Sequence, residues 1–216
     1  MKHAKRHPLI FGTIILTATG LITRVIGFFY RIYLSRLFGE EGMGIYQLLS
    51  PALSLSFSLT AAGYQTAISK YVAADSAKRP SGNLKPLLAG ISITLPLSLV
   101  TNAILFFSAD PIGIFLLKDH RTVPMLRILS FSVPFAALHA CINGYFYGKK
   151  KASVPALTQL LEQLARVSCV FLVTGADLAE GRTPSINAAV LGLTVGEIFS
   201  MLIALVTLPE FHLCPS

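Results

Sequence analysis

Four ionisable residues in apolar surroundings carry the chemistry this sequence can offer. Arg24 sits in a run that opens at Leu9 and is otherwise uncharged until Arg31. Glu162 and Arg166 lie four residues apart in a second apolar run, and Glu197 follows Gly196 in a third. A guanidinium near the middle of a membrane helix costs about 2.5 to 3.5 kcal/mol on insertion scales, so such residues face a polar cavity or a substrate path by default. Two readings compete for Arg24: lining a cavity, or snorkelling about 10 Å along the helix towards Arg31. Glu162 and Arg166 share a helix face and can neutralise each other as a structural pair, or contact a substrate or ion. Glu197 has no opposite charge in its own run. It is either a protonatable or ion-coupling acid or the partner of Arg24 or Arg166 across helices. His139, beside Ala140 and Cys141, is either a proton relay or a hydrogen-bonded interface residue.

Chemistry of other kinds finds no support. No nucleophile and base stand at a recognisable spacing, no glycine-rich phosphate loop occurs, and an enzyme is not expected. Cys141, Cys169 and Cys214 are isolated and suggest neither a metal site nor a disulfide framework. No cofactor is expected either. The net charge of +8 is spread in short clusters between apolar runs, which argues for membrane topology and against nucleic acid.

The elements that must position these residues follow from composition. Of 216 residues, 53% are hydrophobic and only 13% charged, with a mean hydropathy of +0.66. Soluble domains carry about 25% charged residues. The chain therefore reads as an all-α integral membrane protein with six spans, at about 9–31, 45–69, 87–108, 123–147, 154–174 and 186–208, and a short tail over 209–216. Residues Ile32 to Gly44 are expected to be an aqueous turn, Lys70 to Lys85 a polar connector, and Asp110 to Arg121 a partly amphipathic loop. Ser54 to Thr60 alternate with period two. A lone strand in lipid would leave its backbone unpaired, so the stretch is expected to be helical, its serines lining an interface or a wet cavity. Gly144, Gly192 and Gly196 are among the small residues that allow close helix packing.

Lys and Arg in the short loops set the orientation. With the N-terminus cytoplasmic, that side holds Lys2, Lys5, Arg6, Lys70, Lys78, Arg79, Lys85, Lys149, Lys150 and Lys151. The other holds Arg31, Arg36, Lys118, Arg121, Arg127 and Arg182. Both termini are then cytoplasmic.

Five motifs occur in order: Thr23-Arg24-Val25-Ile26-Gly27-Phe28, Ser35-Arg36-Leu37-Phe38-Gly39-Glu40-Glu41-Gly42, Ala67-Ile68-Ser69-Lys70, Gly144-Tyr145-Phe146-Tyr147-Gly148-Lys149 and Leu161-Glu162-Gln163-Leu164-Ala165-Arg166. Together they resemble the stage V sporulation protein B branch of the polysaccharide-exporter (Wzx-like) families. The resemblance implies the multidrug/oligosaccharidyl-lipid/polysaccharide flippase fold, in which two six-helix lobes face each other across a cavity open to alternate sides of the bacterial cytoplasmic membrane. It implies an undecaprenyl-pyrophosphate-linked oligosaccharide or peptidoglycan precursor as substrate. A cation-coupled multidrug antiporter of the same superfamily and a non-transporting membrane scaffold are the alternatives.

Family members have twelve to fourteen spans, so this chain looks like one N-terminal lobe, which a separate C-terminal lobe or a homodimer could complete. Arg24 matches the first-helix cavity arginine of the related lipid II flippases. Their next arginine falls at Tyr30, and a one-residue shift rotates a side chain by about 100°, which puts Arg31 outside the cavity. The second helix offers serines where those flippases carry another arginine.

Overall fold

The computed structural model describes residues 8–78 and 84–213, with side chains from residue 12 to 76 and from 84 to 208. Lys2, Lys5, Arg6, Arg79 to Gly82 and the last residues of the expected tail, Cys214 to Ser216, lie outside the described residues. Nearly all the described chain is helical and none of it is strand. The elements are α1 (Pro8–Leu48), α2 (Ser50–Phe57), a π-helical stretch (Ser58–Ala62), α3 (Gly63–Lys78), α4 (Lys85–Phe107), the short α5 (Ala109–Pro111) with a second π-helical stretch (Ile112–Leu116), α6 (Thr122–Gly148), α7 (Ser153–Ala179) and α8 (Asn187–Leu213). Ser54 to Thr60 are helical, as the unpaired-backbone argument requires.

Five helical segments among the described residues are long and apolar enough to cross a membrane. The first, Gly12–Ser76, has 65 residues. At about 1.5 Å per residue it is roughly three times as long as a 30 Å hydrocarbon core is thick. Its break is at Gly39, where φ is 68° and ψ −176°, a conformation open to glycine and strained for other residues.

The contacts on either side of Gly39 show that the chain reverses there. Before it, Gly12 lies against Ala152, Gly27 against Gln163, and Tyr33 against Phe171 and Thr174, so this limb runs parallel to α7. After it, Ile45 and Leu49 pack with Val123, Leu126 and Leu129, while Gly144 meets Gln65 and Gly148 meets Ser69. That limb runs parallel to α6. Helices α6 and α7 are joined by the four residues 149–152 and run in opposite directions, so the two limbs are antiparallel. Counted as passes along the bundle, the described chain makes six.

Three boundaries differ from the sequence reading. Helix α1 does not give way to a turn at Ile32, because Leu34 is fully buried and Tyr33 stacks on Phe171 at 4.1 Å between ring centroids. Packing against α7 carries the helix on to the Gly39 break. Helix α3 likewise continues past Lys70 to Lys78, with Val72 buried against α6, and α8 runs on to Leu213. The expected loop at Asp110 to Arg121 is largely helical up to Leu116.

Helix α6 is the centre of the bundle, its faces covered by α3, α4 and α8, and most of its residues are buried. Two pairs of glycines four residues apart, among the described residues, let a neighbouring helix backbone come closest. Gly144 and Gly148 admit the backbone of α3, and Gly192 and Gly196 admit the backbone of α7 at Arg166 and Glu162. With hydrocarbon on the outside there is little hydrophobic gain in bringing helices together, so small residues that let backbones touch carry much of the packing.

The candidate site: an arginine-lined cleft and a buried carboxylate–imidazole cluster

The first limb of α1 and helix α7 do not close along their whole length. Between them lies a cleft of about 530 Å³ lined by Arg24, Tyr30, Arg31 and Tyr46 on one side and Glu162, Gln163 and Arg166 on the other. Gly27 leaves room there for the Gln163 amide, 3.5 Å from where a Cβ would stand. A shallower groove of about 720 Å³ continues past Arg31 along Arg36 and Glu40.

Arg24 and Arg31 are both exposed on this face. Arg31 therefore lines the same cleft as Arg24, against the expectation from the one-residue shift. The groups are seven residues apart, about two full helical turns, which returns a side chain to nearly the same face. The seven-residue spacing from Arg24, not the register at Tyr30, sets the face that Arg31 occupies.

Arg166 donates to Glu162 through Nη2 and more weakly to Gln163 Oε1 at 3.5 Å, with the pair less than one quarter exposed. The i, i+4 pairing read from sequence is present. It does not consume the guanidinium, since Arg166 Nε is buried and has no partner, and neither has the Tyr30 hydroxyl. Both are donors and both line the cleft, which leaves it with three guanidiniums, one carboxylate and two unsatisfied donors.

Glu197 does not pair with Arg24 or Arg166. Its Oε2 lies 3.6 Å from His139 Nδ1, because α8 runs parallel to α6 and sets residue 197 beside residue 139. Glu162 comes to the same place from α7, and the three ligating atoms of His139, Glu162 and Glu197 lie within 4.8 Å of one another. These residue types could hold a cation. The three come from separate helices with no local spacing pattern, so only the topology brings them together. His139 is held from its other side, Nε2 lying 2.8 Å from Asn143 Nδ2 and 2.9 Å from Ser200 Oγ. Beyond Glu197 opens a second cavity of about 310 Å³, lined by Ser50, Ser54, Ser56 and Thr60 of the second pass and Ser132 of α6. Of the stretch expected to line an interface or a wet cavity, Ser54, Ser56 and Thr60 face this space.

Residues 9–214 match the family described as Polysaccharide biosynthesis protein. The chain belongs to that family. It is 36% identical over 192 residues to stage V sporulation protein B of Bacillus subtilis (strain 168), covering 88% of this chain and 37% of that protein. It is 27% identical over 179 residues to the lipid II flippase MurJ of the same organism, covering 79% of this chain and 32% of that one. The uncharacterized membrane protein YabM of that organism is 26% identical over 207 residues, covering 96% of this chain and 38% of it. The chain thus spans less than two fifths of the length of these relatives. With its membrane-length helices it is an integral protein of the cytoplasmic membrane.

Proposed function

We propose that this chain forms the amino-terminal lobe of a flippase that carries an undecaprenyl-pyrophosphate-linked cell-wall or polysaccharide precursor across the membrane by alternating access. The observation that carries the reading is the sign of the cleft. Arg24, Arg31 and Arg166 face one carboxylate, Glu162, and that carboxylate is already paired. A pyrophosphate offers oxygens in the planar arrangement a guanidinium fork binds bidentately. A cationic drug would find repulsion in the same place. Arg166 Nε and the Tyr30 hydroxyl, buried without partners, are donors that an anion's oxygens would satisfy. The naming of one relative as a lipid II flippase points the same way.

In this mechanism the pyrophosphate rests among the three arginines while the lipid tail stays in the bilayer beside the exposed apolar residues Val25 and Phe28 of the first pass. The remaining wall of the cavity comes from a second lobe against which this one rocks. A C-terminal lobe supplies it, or a second copy of the chain.

The test is binding of undecaprenyl pyrophosphate to the purified chain in lipid nanodiscs, with undecaprenol and a lipophilic cation as controls. Selective retention of the pyrophosphate, lost on Arg24→Ala with Arg31→Ala, supports the reading. Retention of the cation in its place would assign the cleft to a drug-type transporter.

A further inference from the structure

We propose that the lysine-rich end of the bundle holds an anionic phospholipid, its phosphate between Lys70 and the turn Lys149–Lys151 and one acyl chain along a groove on α3.

The groove is on the outside of that helix. It holds about 490 Å³ and is lined by Gly63, Thr66, Ala67, Lys70, Tyr71 and Ala74. Ile68 and Val72 are buried against α4 and α6, so α3 packs inward with one face and turns the groove to the bilayer. From Gly63 to Lys70 it extends about 10 Å along the axis. Tyr71, 70% exposed, stands at its mouth. Tyrosine is favoured at the level of the lipid headgroups, where the ring meets hydrocarbon and the hydroxyl meets water.

Two of the five sequence motifs meet beside the groove, and the arginine cleft uses neither. A Cβ on Gly148, in Gly144-Tyr145-Phe146-Tyr147-Gly148-Lys149, would stand 2.7 Å from the Ser69 carbonyl of Ala67-Ile68-Ser69-Lys70. Lys70 and Lys149 each follow that contact by one residue, on helices running side by side in the same direction. Lys149 folds back over the Tyr145 ring, 5.8 Å from its centroid, and Lys150 and Lys151 are exposed beyond it. Lys85, at the start of α4, comes to the same end. Residues 63–76, 84–91 and 149–152 carry these five lysines and one acid, Asp75.

Membrane orientation alone asks for less than this. Lysine in a short loop is enough to hold that loop in the cytoplasm. Lys70 is not in a loop: it stands within α3, which continues to Lys78, and it borders a groove. Lys150 has φ 59°, where glycine or asparagine is less strained, so the turn carries its charge at a conformational cost.

Charge and place select the occupant. A lysine-rich end belongs to the cytoplasmic leaflet, the one that presents anionic lipid. Phosphate oxygens pair with the ammonium groups, and an acyl chain fills the depression below them. A zwitterionic lipid brings its own cation to the same lysines. A soluble anion would leave the groove bare, and an extended peptide would leave backbone groups unpaired against hydrocarbon. The groove shares no lining residue with the arginine cleft, and what the cleft carries does not bear on it.

The chain contains no tryptophan, so a single introduced one reports alone. Tyr71→Trp places it at the groove. Leu88→Trp is the control, on an exposed face of α4 at a similar depth, since Gly90 packs on Ile68. Each is reconstituted in phosphatidylcholine vesicles containing a rising fraction of phosphatidylglycerol or phosphatidylcholine brominated early in the acyl chain, and quenching is followed. At Tyr71→Trp the brominated phosphatidylglycerol is expected to act at a several-fold lower fraction than the brominated phosphatidylcholine, and at Leu88→Trp the two should act alike. Adding Lys70→Gln should weaken the preference about fivefold, the scale of one basic side chain near a membrane surface. Lys150→Gly should also weaken it, and because glycine suits φ 59° that loss cannot be laid to unfolding. Equal quenching by the two lipids at Tyr71→Trp would overturn the proposal. So would an equal preference at Leu88→Trp, which would mean attraction to the whole charged end, or a preference that survives both lysine variants. Displacement of the brominated lipid by a much smaller amount of undecaprenyl pyrophosphate would overturn it too, by giving the groove to that lipid instead.

Discussion

The carbonyl oxygen of Gln65 stands 2.6 Å from the place where a side chain on Gly144 would put its first carbon. No L-residue with a Cβ fits there unless α3 and α6 move apart, and backbone cannot yield as the tip of a flexible side chain can. Gly144→Ala is therefore expected to cost about 1 to 3 kcal/mol, the range for overpacking a tight interior. Gly20→Ala, with nothing near its Cβ position, serves as the matched control. Thermal melting in detergent decides it: the lesson about α6 fails if the two variants melt alike.

Arg24 and Arg31 share a face two turns apart, and their replacements should rank by geometry as well as charge. Hydrogen bonds to charged groups contribute about 1.5 to 3 kcal/mol each, roughly ten- to a hundredfold in affinity. Arg24→Ala is expected to weaken pyrophosphate binding by such a factor, and Arg24→Lys by less, since lysine keeps a point charge and loses the fork. Arg31→Ala should act in the same direction. If Arg31→Ala leaves affinity unchanged while Arg24→Ala does not, Arg31 lines the cleft without serving it.

How much of this was legible in the sequence varies by residue. The apolar runs and the Glu162–Arg166 pair could be read, because hydropathy and i, i+4 spacing are local properties. The extent of α1 could not, since Tyr33 and Leu34 are held helical by α7, more than 130 residues away in sequence. Arg31 enters the cleft through its seven-residue spacing from Arg24, which a register taken from related flippases does not convey. The His139–Glu197 contact depends on α6 and α8 running side by side, and nothing near either residue encodes that.

At the end of the bundle holding the Gly39 break, Asp119 accepts from the Arg121 side chain and backbone, and Arg121 also reaches Glu41 at 2.7 Å. Hydrogen bonding from the Arg121 side chain, then from its backbone amide, holds the Asp119 carboxyl below its ordinary value of 3.8. A depressed acid stabilises the fold above its unfolded-state pKa, and that contribution is lost as pH falls through the folded-state value. The melting temperature of the parent should thus be insensitive to this group at neutral pH and decline below about pH 3.8 more steeply than that of Asp119→Asn. The effect should be small and weaken in high salt, because Arg121 and Glu41 are largely exposed. Equal acid slopes for the two proteins would remove Asp119 from the account.

Loop charge also sorts between the two ends of the bundle, and this fixes an expected orientation. Because the passes alternate in direction, Lys70, Lys85 and Lys149 to Lys151 gather at the end away from Gly39, while Lys118, Arg121, Arg127 and Arg182 lie at the Gly39 end. Several of the latter are neutralised locally: Arg121 by Glu41 and Asp119, Arg127 by Asp110 at 2.6 Å, and Arg182 by Glu180. Lys and Arg in short loops are retained on the cytoplasmic side, so the Gly39 end should face outwards. In a variant with its three cysteines replaced, single cysteines at positions 40 and 180 are expected to react with an impermeant maleimide added to intact cells, and cysteines at 85 and 150 only after permeabilisation. External labelling at 150 with protection at 40 would invert the bundle. Labelling of 40 and 85 from the same side would contradict the reversal at Gly39, since an odd number of passes separates them only if the chain turns back there.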